Sequence, residues 1–234
     1  VFHVERDAAT LTGPDARPVL TAGLQELGLS PSLAEPLASL ANLLARWAGR
    51  MNLTGHRTPE AIARRLILDA LALGESLPVR PPTSLADLGS GAGFPGLPLA
   101  VRWPASAVML VEARERRHHF QRAAVRTLGL VNVEPRRGRL EDLPPRPHEV
   151  VVAQALAQAE RAVEWMLPWV APGGWLVLAR SADAGPVPDA PGLEPGRSIP
   201  YRVPLGGPAR LLWAARRPVD AAGGPVVRTG RPPY

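Results

Sequence analysis

The chain has 234 residues, 46% apolar and 21% charged, which is enough for one full-sized core and argues against wholesale disorder. It contains no cysteine, which excludes disulfides, thiolate metal sites, iron–sulfur clusters and a cysteine nucleophile, and fits a reducing compartment. The formal net charge is +6, and all 27 basic residues are arginine. Abundant Ala, Arg, Gly, Pro and Leu attribute the missing lysine to a GC-rich coding bias. The positive sign alone weighs toward an acidic partner, to which arginine offers a fork that fits phosphate oxygens.

No stretch of about 18 uncharged apolar residues occurs, so no membrane span is expected. Glu5, Arg6 and Asp7 do not resemble a secretion signal, and a cytoplasmic location is expected. The first thirteen residues show no period. A helix is predicted over 15–27, with Leu20, Leu24 and Leu27 on one face. Ser30-Pro31 starts another, whose stripe runs through Leu33, Leu37, Leu40, Leu44, Trp47 and Met51. Thr58-Pro59 pairs an N-cap with a first-turn proline and opens a helix through Ile62, Leu66, Ala70 and Leu73 to about Ser76.

After Pro81-Pro82 the pattern changes. Short apolar runs at 84–88, 107–111, 131–134, 150–153 and 175–179 read as buried strands. Helices are predicted from about Pro95, over 114–128 and over 159–169. Strands alternating with helices predict an α/β fold with a parallel sheet and helices on both faces. Residues 182–197 read as a loop. Runs at 199–205 and 211–215 flank Gly206-Gly207-Pro208 and predict an antiparallel hairpin. The tail from Pro218 is rich in glycine, proline and arginine, and disorder is expected there.

The segment that carries chemistry is Asp87-Leu-Gly-Ser-Gly-Ala-Gly-Phe-Pro-Gly96. Glycines at a strand's end allow a sharp turn and close approach of a ligand to the backbone. Gly91, Gly93 and Gly96 match the dinucleotide fingerprint, and Glu112 ends the next strand where it can bind ribose hydroxyls. Two details point elsewhere. A carboxylate at Asp87, at the mouth of the loop, repels pyrophosphate and attracts an ammonium. Pro95 also removes a backbone donor that pyrophosphate needs. S-adenosylmethionine satisfies both, having an ammonium, a sulfonium, a ribose diol and no phosphate. The expected cofactor contacts are Asp87, Gly89, Gly91, Gly93, Phe94 and Glu112, with Leu140 bracketing an adenine and Glu141 offering a polar edge. A ligand-free tight turn and a dinucleotide site are the alternatives.

Asn52-Leu53-Thr54, Arg65 with Ile67-Leu68-Asp69, and the extended loop through Phe94-Pro95-Gly96-Leu-Pro98 resemble the small-subunit ribosomal RNA methyltransferase G, or GidB-like, family. Arg116-Arg117 followed by Phe120, Pro172-Gly173-Gly174, and Arg210 fit as well, so the resemblance spans about Leu37 to Arg217. It implies a Rossmann-like seven-stranded methyltransferase sheet over 79–217 with a helical N-terminal cap over 1–78. It also implies methylation of guanine N-7 in the decoding region of 16S ribosomal RNA. The partner would be that RNA or the small ribosomal subunit, with no membrane and no metal involved.

The chemistry agrees with the composition. The N-7 lone pair is exposed on the major-groove edge and needs no proton removed, so positioning and electrostatics suffice. Pyrimidine C-5 methylation usually needs a cysteine, which is absent, and Gln154-Ala155-Leu156-Ala157 is not the Asn/Asp-Pro-Pro-aromatic motif of exocyclic adenine methylation. Pro232-Pro233-Tyr234 follows no strand. Arg117, Gln154, Arg180 and Arg210 are the candidate substrate-side residues, Arg117 by its place at a helix start, the others by resemblance. Arg122 and Arg126 read as a solvated helix face. The five histidines show no metal spacing. Three positions depart from the family. Gln154 stands where it has arginine, Leu66 where it has histidine, and Ala70 where it has serine. A non-catalytic RNA- or ribosome-binding module, or a methyltransferase for another substrate, are therefore the competing readings.

Overall fold

The structure is a computed structural model and describes residues 15–219 except 155 and 157. The expectations for the first thirteen residues and for most of the tail lie outside the described residues. Helix α1 (Ala16–Glu26) starts at Asp15, whose side chain accepts from the Arg17 amide. A short 3-10 turn leads into α2 (Ala34–Ala48), whose Leu37, Leu40 and Leu44 are fully buried, each such burial stabilising by about 1.5–3 kcal/mol. Trp47 of α2 meets Phe120 edge-on at 5.7 Å between ring centroids. Thr58 caps α3 (Pro59–Ile62) by accepting from the Ala61 amide.

The predicted single helix from Thr58 to Ser76 is in fact three pieces. A π-helical segment, Ala63–Ile67, separates α3 from α4 (Leu68–Glu75). Such a segment inserts extra backbone into a helix and turns its side chains off the regular stripe. Sequence periodicity does not register this.

The sheet contains β1 (Ser84–Leu88), β2 (Ala107–Glu112), β3 (Val133–Arg137), β4 (His148–Gln154), β5 (Val170–Ser181), β6 (Arg197–Arg202) and β7 (Ala209–Arg216), in the order β3-β2-β1-β4-β5-β7-β6. The first five are parallel to one another; β7 is antiparallel to both β5 and β6. The helices between strands are α5 (Gly96–Arg102), α6 (Glu115–Leu128) and α7 (Ala159–Met166). β3 begins two residues later than predicted. Asn132 donates its side-chain amide to the carbonyls of Ala100, Trp103 and Ser106, and Val131 is left exposed. β5 begins earlier than predicted, at Val170, so Pro172-Gly173-Gly174 lies within the strand.

Side chains alternate between two cores, as strand geometry requires. Leu85, Val108, Val150 and Val177 face one side, packed with α1, α2, α5 and α6. Ala86, Met109, Val151 and Leu176 face the other, covered by α7 and by Val187, Ala190 and Leu193 of the 182–196 loop. The N-terminal helices thus share one continuous core with the sheet. No helix among the described residues is long and apolar enough to cross a membrane.

Candidate active site

The glycine turn leaves the carboxyl end of β1, at the point where the strand order reverses and open α/β sheets hold their ligands. Its geometry is fixed from beneath. The amides of Gly89 and Ser90 donate to the Val111 carbonyl at 2.9 and 3.0 Å, and those of Gly93 and Phe94 to the Ser90 carbonyl at 2.7 and 2.9 Å. Gly89 and Gly91 have φ of 71° and 58°, a left-handed backbone that favours glycine. A Cβ on Gly89 would stand 2.5 Å from Cδ1 of Leu156, so the missing side chain also lets Leu156 lie directly on the turn. Gly93 is part of the same left-handed run, while Phe94 is buried in the first core.

Asp87 does not stand at the mouth of the turn. It is fully buried, its Oδ2 accepts from the Gly96 amide at 2.8 Å, and its Oδ1 finds no partner among the described residues. The expected place at the mouth of the loop is therefore corrected: the carboxylate braces the first residue of α5 from below. Burial pushes its carboxyl up to about 7; the Gly96 hydrogen bond opposes this and the nearby Glu112 charge adds to it.

Glu112 ends β2 and is nearly buried, at 5% exposure. Its Oε2 accepts from the Gly91 amide at 2.9 Å and its Oε1 from the Arg114 amide at 2.7 Å. Each carboxylate oxygen retains a second lone pair, so a ribose diol fits this group without displacing the backbone donors. Arg117 reaches back from the start of α6 to within 3.7 Å of Glu112 and lies over Gly91. The segment after β3 is tied alongside, since the Gly138 amide donates to the Glu112 carbonyl at 3.1 Å. Leu140 is half-buried against the second core and Glu141 is exposed.

A residue that sequence reasoning passed over holds this arrangement together. Gln121 of α6 is fully buried, and its amide donates at 2.8 Å both to Ser90 Oγ and to the Gly91 carbonyl. The signal was present, as a glutamine on the apolar side of a helix must find partners.

Beside the turn, at the ends of β4, β5 and β7, opens a cavity of about 1180 Å³. Leu156 lines it and also rests on Gly89, so it stands at the junction of turn and cavity. Of the four predicted substrate-side residues, Gln154, Arg180 and Arg210 line this cavity together. Arg117 is not among them; it belongs to the turn. Arg116 is exposed, as are Arg122 and Arg126. Leu66 lines the cavity with Arg64 and Arg65 of the π segment. His56, Asp69 and Tyr201 also face it and were not singled out as site residues. Asp69 was detectable, because a carboxylate inside the run Leu66-Ile67-Leu68-Asp69-Ala70-Leu71 cannot be buried without a partner. Among the described residues no group of three or more His, Asp or Glu is placed to hold a metal ion.

Five parallel strands whose order reverses at β1, a left-handed glycine turn at that reversal and an acidic residue closing β2 fit a methyltransferase that uses S-adenosylmethionine. Comparison with known proteins places it more closely. The model of the family described as rRNA small subunit methyltransferase G, GidB, matches residues 34–184. The ribosomal RNA small subunit methyltransferase G of Chromohalobacter salexigens is 40% identical over 162 residues, covering 68% of this chain and 76% of that one. The protein of the same name from Nitratidesulfovibrio vulgaris is 33% identical over 208 residues, covering 86% and 94%. A solved O-methyltransferase candidate from Klebsiella pneumoniae aligns with a TM-score of 0.50 at 14% identity over 76% of this chain and 90% of that one, a likeness of fold. The chain belongs to the rRNA small subunit methyltransferase G family.

Proposed function

We propose that this protein methylates N-7 of a guanosine in the decoding region of 16S ribosomal RNA, acting on the small subunit or its RNA in the cytoplasm. The observation that carries the reading is the junction at Leu156, where the glycine turn meets a cavity lined by Arg64, Arg65, Arg180 and Arg210. S-adenosylmethionine, held by the turn and by Glu112, supplies an electrophilic methyl group on sulfur. Gly89, Gly91 and Gly93 would give it a left-handed backbone turn, flanked by Leu156 over Gly89 and Arg117 over Gly91; Leu140 and Glu141 would flank its adenine end. On the other side of Leu156 the arginines hold phosphate by forked hydrogen bonds. Gln154, at the end of β4, offers a donor and an acceptor to the purine edge.

When bound, S-adenosylmethionine would supply its methyl carbon to the guanine N-7 lone pair and keep the electrons of the broken carbon–sulfur bond on its sulfur. No proton leaves, so the step needs no general base, and the protein's work is orientation and charge. In this reading the helices of residues 15–78 form a cap that supplies one wall of the cavity through Arg64, Arg65 and Asp69.

A second reading has its own observation. Leu66 and Gln154 face the cavity where the family has histidine and arginine, as the departures noted in the sequence imply. A non-catalytic RNA-binding protein would tolerate those losses. Mass-spectrometric mapping of 16S RNA from a deletion strain separates the two. Loss of one 7-methylguanosine is the expected result. An unchanged modification pattern, with no methyl transfer by purified protein to small-subunit RNA, would leave the binding reading.

A further inference from the structure

We propose that Asp69 is a positioning residue for substrate RNA, acting through Arg210, with Tyr201 completing the brace. This rests on the reading of the cavity as the RNA site. Asp69 is buried, at 4% exposure, in α4, on the cap side of the cavity. Arg210 opens β7 and Tyr201 lies in β6, both on the opposite wall. Asp69 Oδ1 accepts from the Tyr201 hydroxyl at 3.0 Å, and Oδ2 lies 3.3 Å from Nη2 of Arg210. The two carboxylate oxygens are thus divided between two partners on the closing hairpin.

The guanidinium is held at one nitrogen only. Its Nε is buried with no partner among the described residues. Its side chain as a whole is about one-third exposed, at 32%. A buried carboxylate and an arginine so held gain little stability as a pair, because desolvation offsets their attraction. What the arrangement does achieve is direction. A long arginine side chain loses several rotamers on binding phosphate, and a fixed one does not incur that loss again. The π segment adjoining α4 brings Arg64 and Arg65 to the same cavity, so the brace holds Arg210 in a space that two further arginines share.

The test is a double-mutant cycle on the full chain, reading the dissociation constant for small-subunit RNA by fluorescence anisotropy, with S-adenosylmethionine affinity by calorimetry alongside. D69N and R210A are each expected to weaken RNA binding about tenfold, roughly 1.4 kcal/mol. The double variant is expected to be no weaker than R210A alone, and cofactor affinity to stay as in the parent. A structural role for Asp69 would instead give additive losses. Additive losses, or D69N that folds and binds RNA like the parent, overturn the proposal. Should D69N not fold, Y201F takes its place in the cycle. It is expected to weaken binding about threefold in the parent and not at all with R210A present, and no effect in the parent overturns the brace. Methyl transfer by the parent protein is measured separately. Its absence with an intact cycle overturns the methyltransferase reading but not the brace; a parent that binds no RNA overturns both.

Discussion

Glu112 and Gly91 are joined by a 2.9 Å hydrogen bond from the glycine amide to Oε2 of the carboxylate. The acidic end of β2 therefore helps to shape the turn that follows β1, and its loss acts on both. Glu112→Ala is expected to weaken S-adenosylmethionine binding ten- to a hundredfold, about 1.5–3 kcal/mol for a charged hydrogen bond. Calorimetry reads this directly, and unchanged affinity would remove Glu112 from the cofactor site.

Arg117 leans on that same carboxylate at 3.7 Å. The sequence alone suggests that neutralising Arg117 flattens the salt dependence of RNA binding and lowers methylation while leaving cofactor affinity alone. The ion pair with Glu112 couples Arg117 to the glycine turn instead. Arg117→Ala is expected to change cofactor affinity, whereas Arg180→Ala and Arg210→Ala each reduce the slope of log affinity against log salt by about 0.7–0.9 for one lost phosphate contact. RNA titrations between low and physiological salt decide which arginines count.

Gln154 ends β4 on the cavity wall, with Leu66 lining the same space. Arginine at 154 adds a charged fork where the amide offers none. Gln154→Arg is expected to raise the single-turnover rate on small-subunit RNA about tenfold, roughly 1.4 kcal/mol of barrier. If the parent is inactive and Gln154→Arg with Leu66→His restores nothing, the protein is not a methyltransferase.

Asp87 gives a pH signature. Its folded carboxyl titrates at about 7, above the 3.8 of the free side chain, chiefly because it is buried. A raised pKa means the folded state holds the proton more tightly. The associated stability is fully present below about pH 4 and is lost as pH rises to 7 and just beyond, on the order of 4 kcal/mol across that window. Asp87→Asn keeps an acceptor for the Gly96 amide and has no charge to bury. Denaturation midpoints measured from pH 4.5 to 8 are expected to fall for the parent and to change much less for the variant. Parallel profiles would mean that Asp87 does not ionise in this range.

Much of the scaffold was legible because it rests on local patterns. The Thr58-Pro59 cap, the α2 stripe and the glycine turn each declare themselves locally; the cap and turn occur as read, and the stripe holds from Leu37 to Trp47, with Leu33 in a 3-10 turn before α2 and Met51 past its end at Ala48. What stayed hidden depends on distance or on backbone irregularity. Tyr201 and Asp69 are separated by 132 positions, and no period relates them. The π segment conserves composition while shifting which residues face the cavity. Asp87 was misjudged for a related reason: its neighbours in sequence place it beside a ligand loop, but the amide nine residues on takes its carboxylate.

The strand order has a consequence for how the molecule is made. β7 pairs with β5 from Trp175 to Ser181, and it is the last strand among the described residues. Until residues 209–216 have left the ribosome, β5 presents an open row of backbone donors and acceptors, Asp69 lacks Arg210, and Tyr201 sits on a strand that still awaits its pairing with β7. A nascent chain can complete its glycine turn early, but the wall of the cavity beside it closes only with β7. Translation stopped before residue 209 would leave a cofactor-sized half-site beside an unprotected sheet edge, the sort of edge on which chains pair with one another and aggregate.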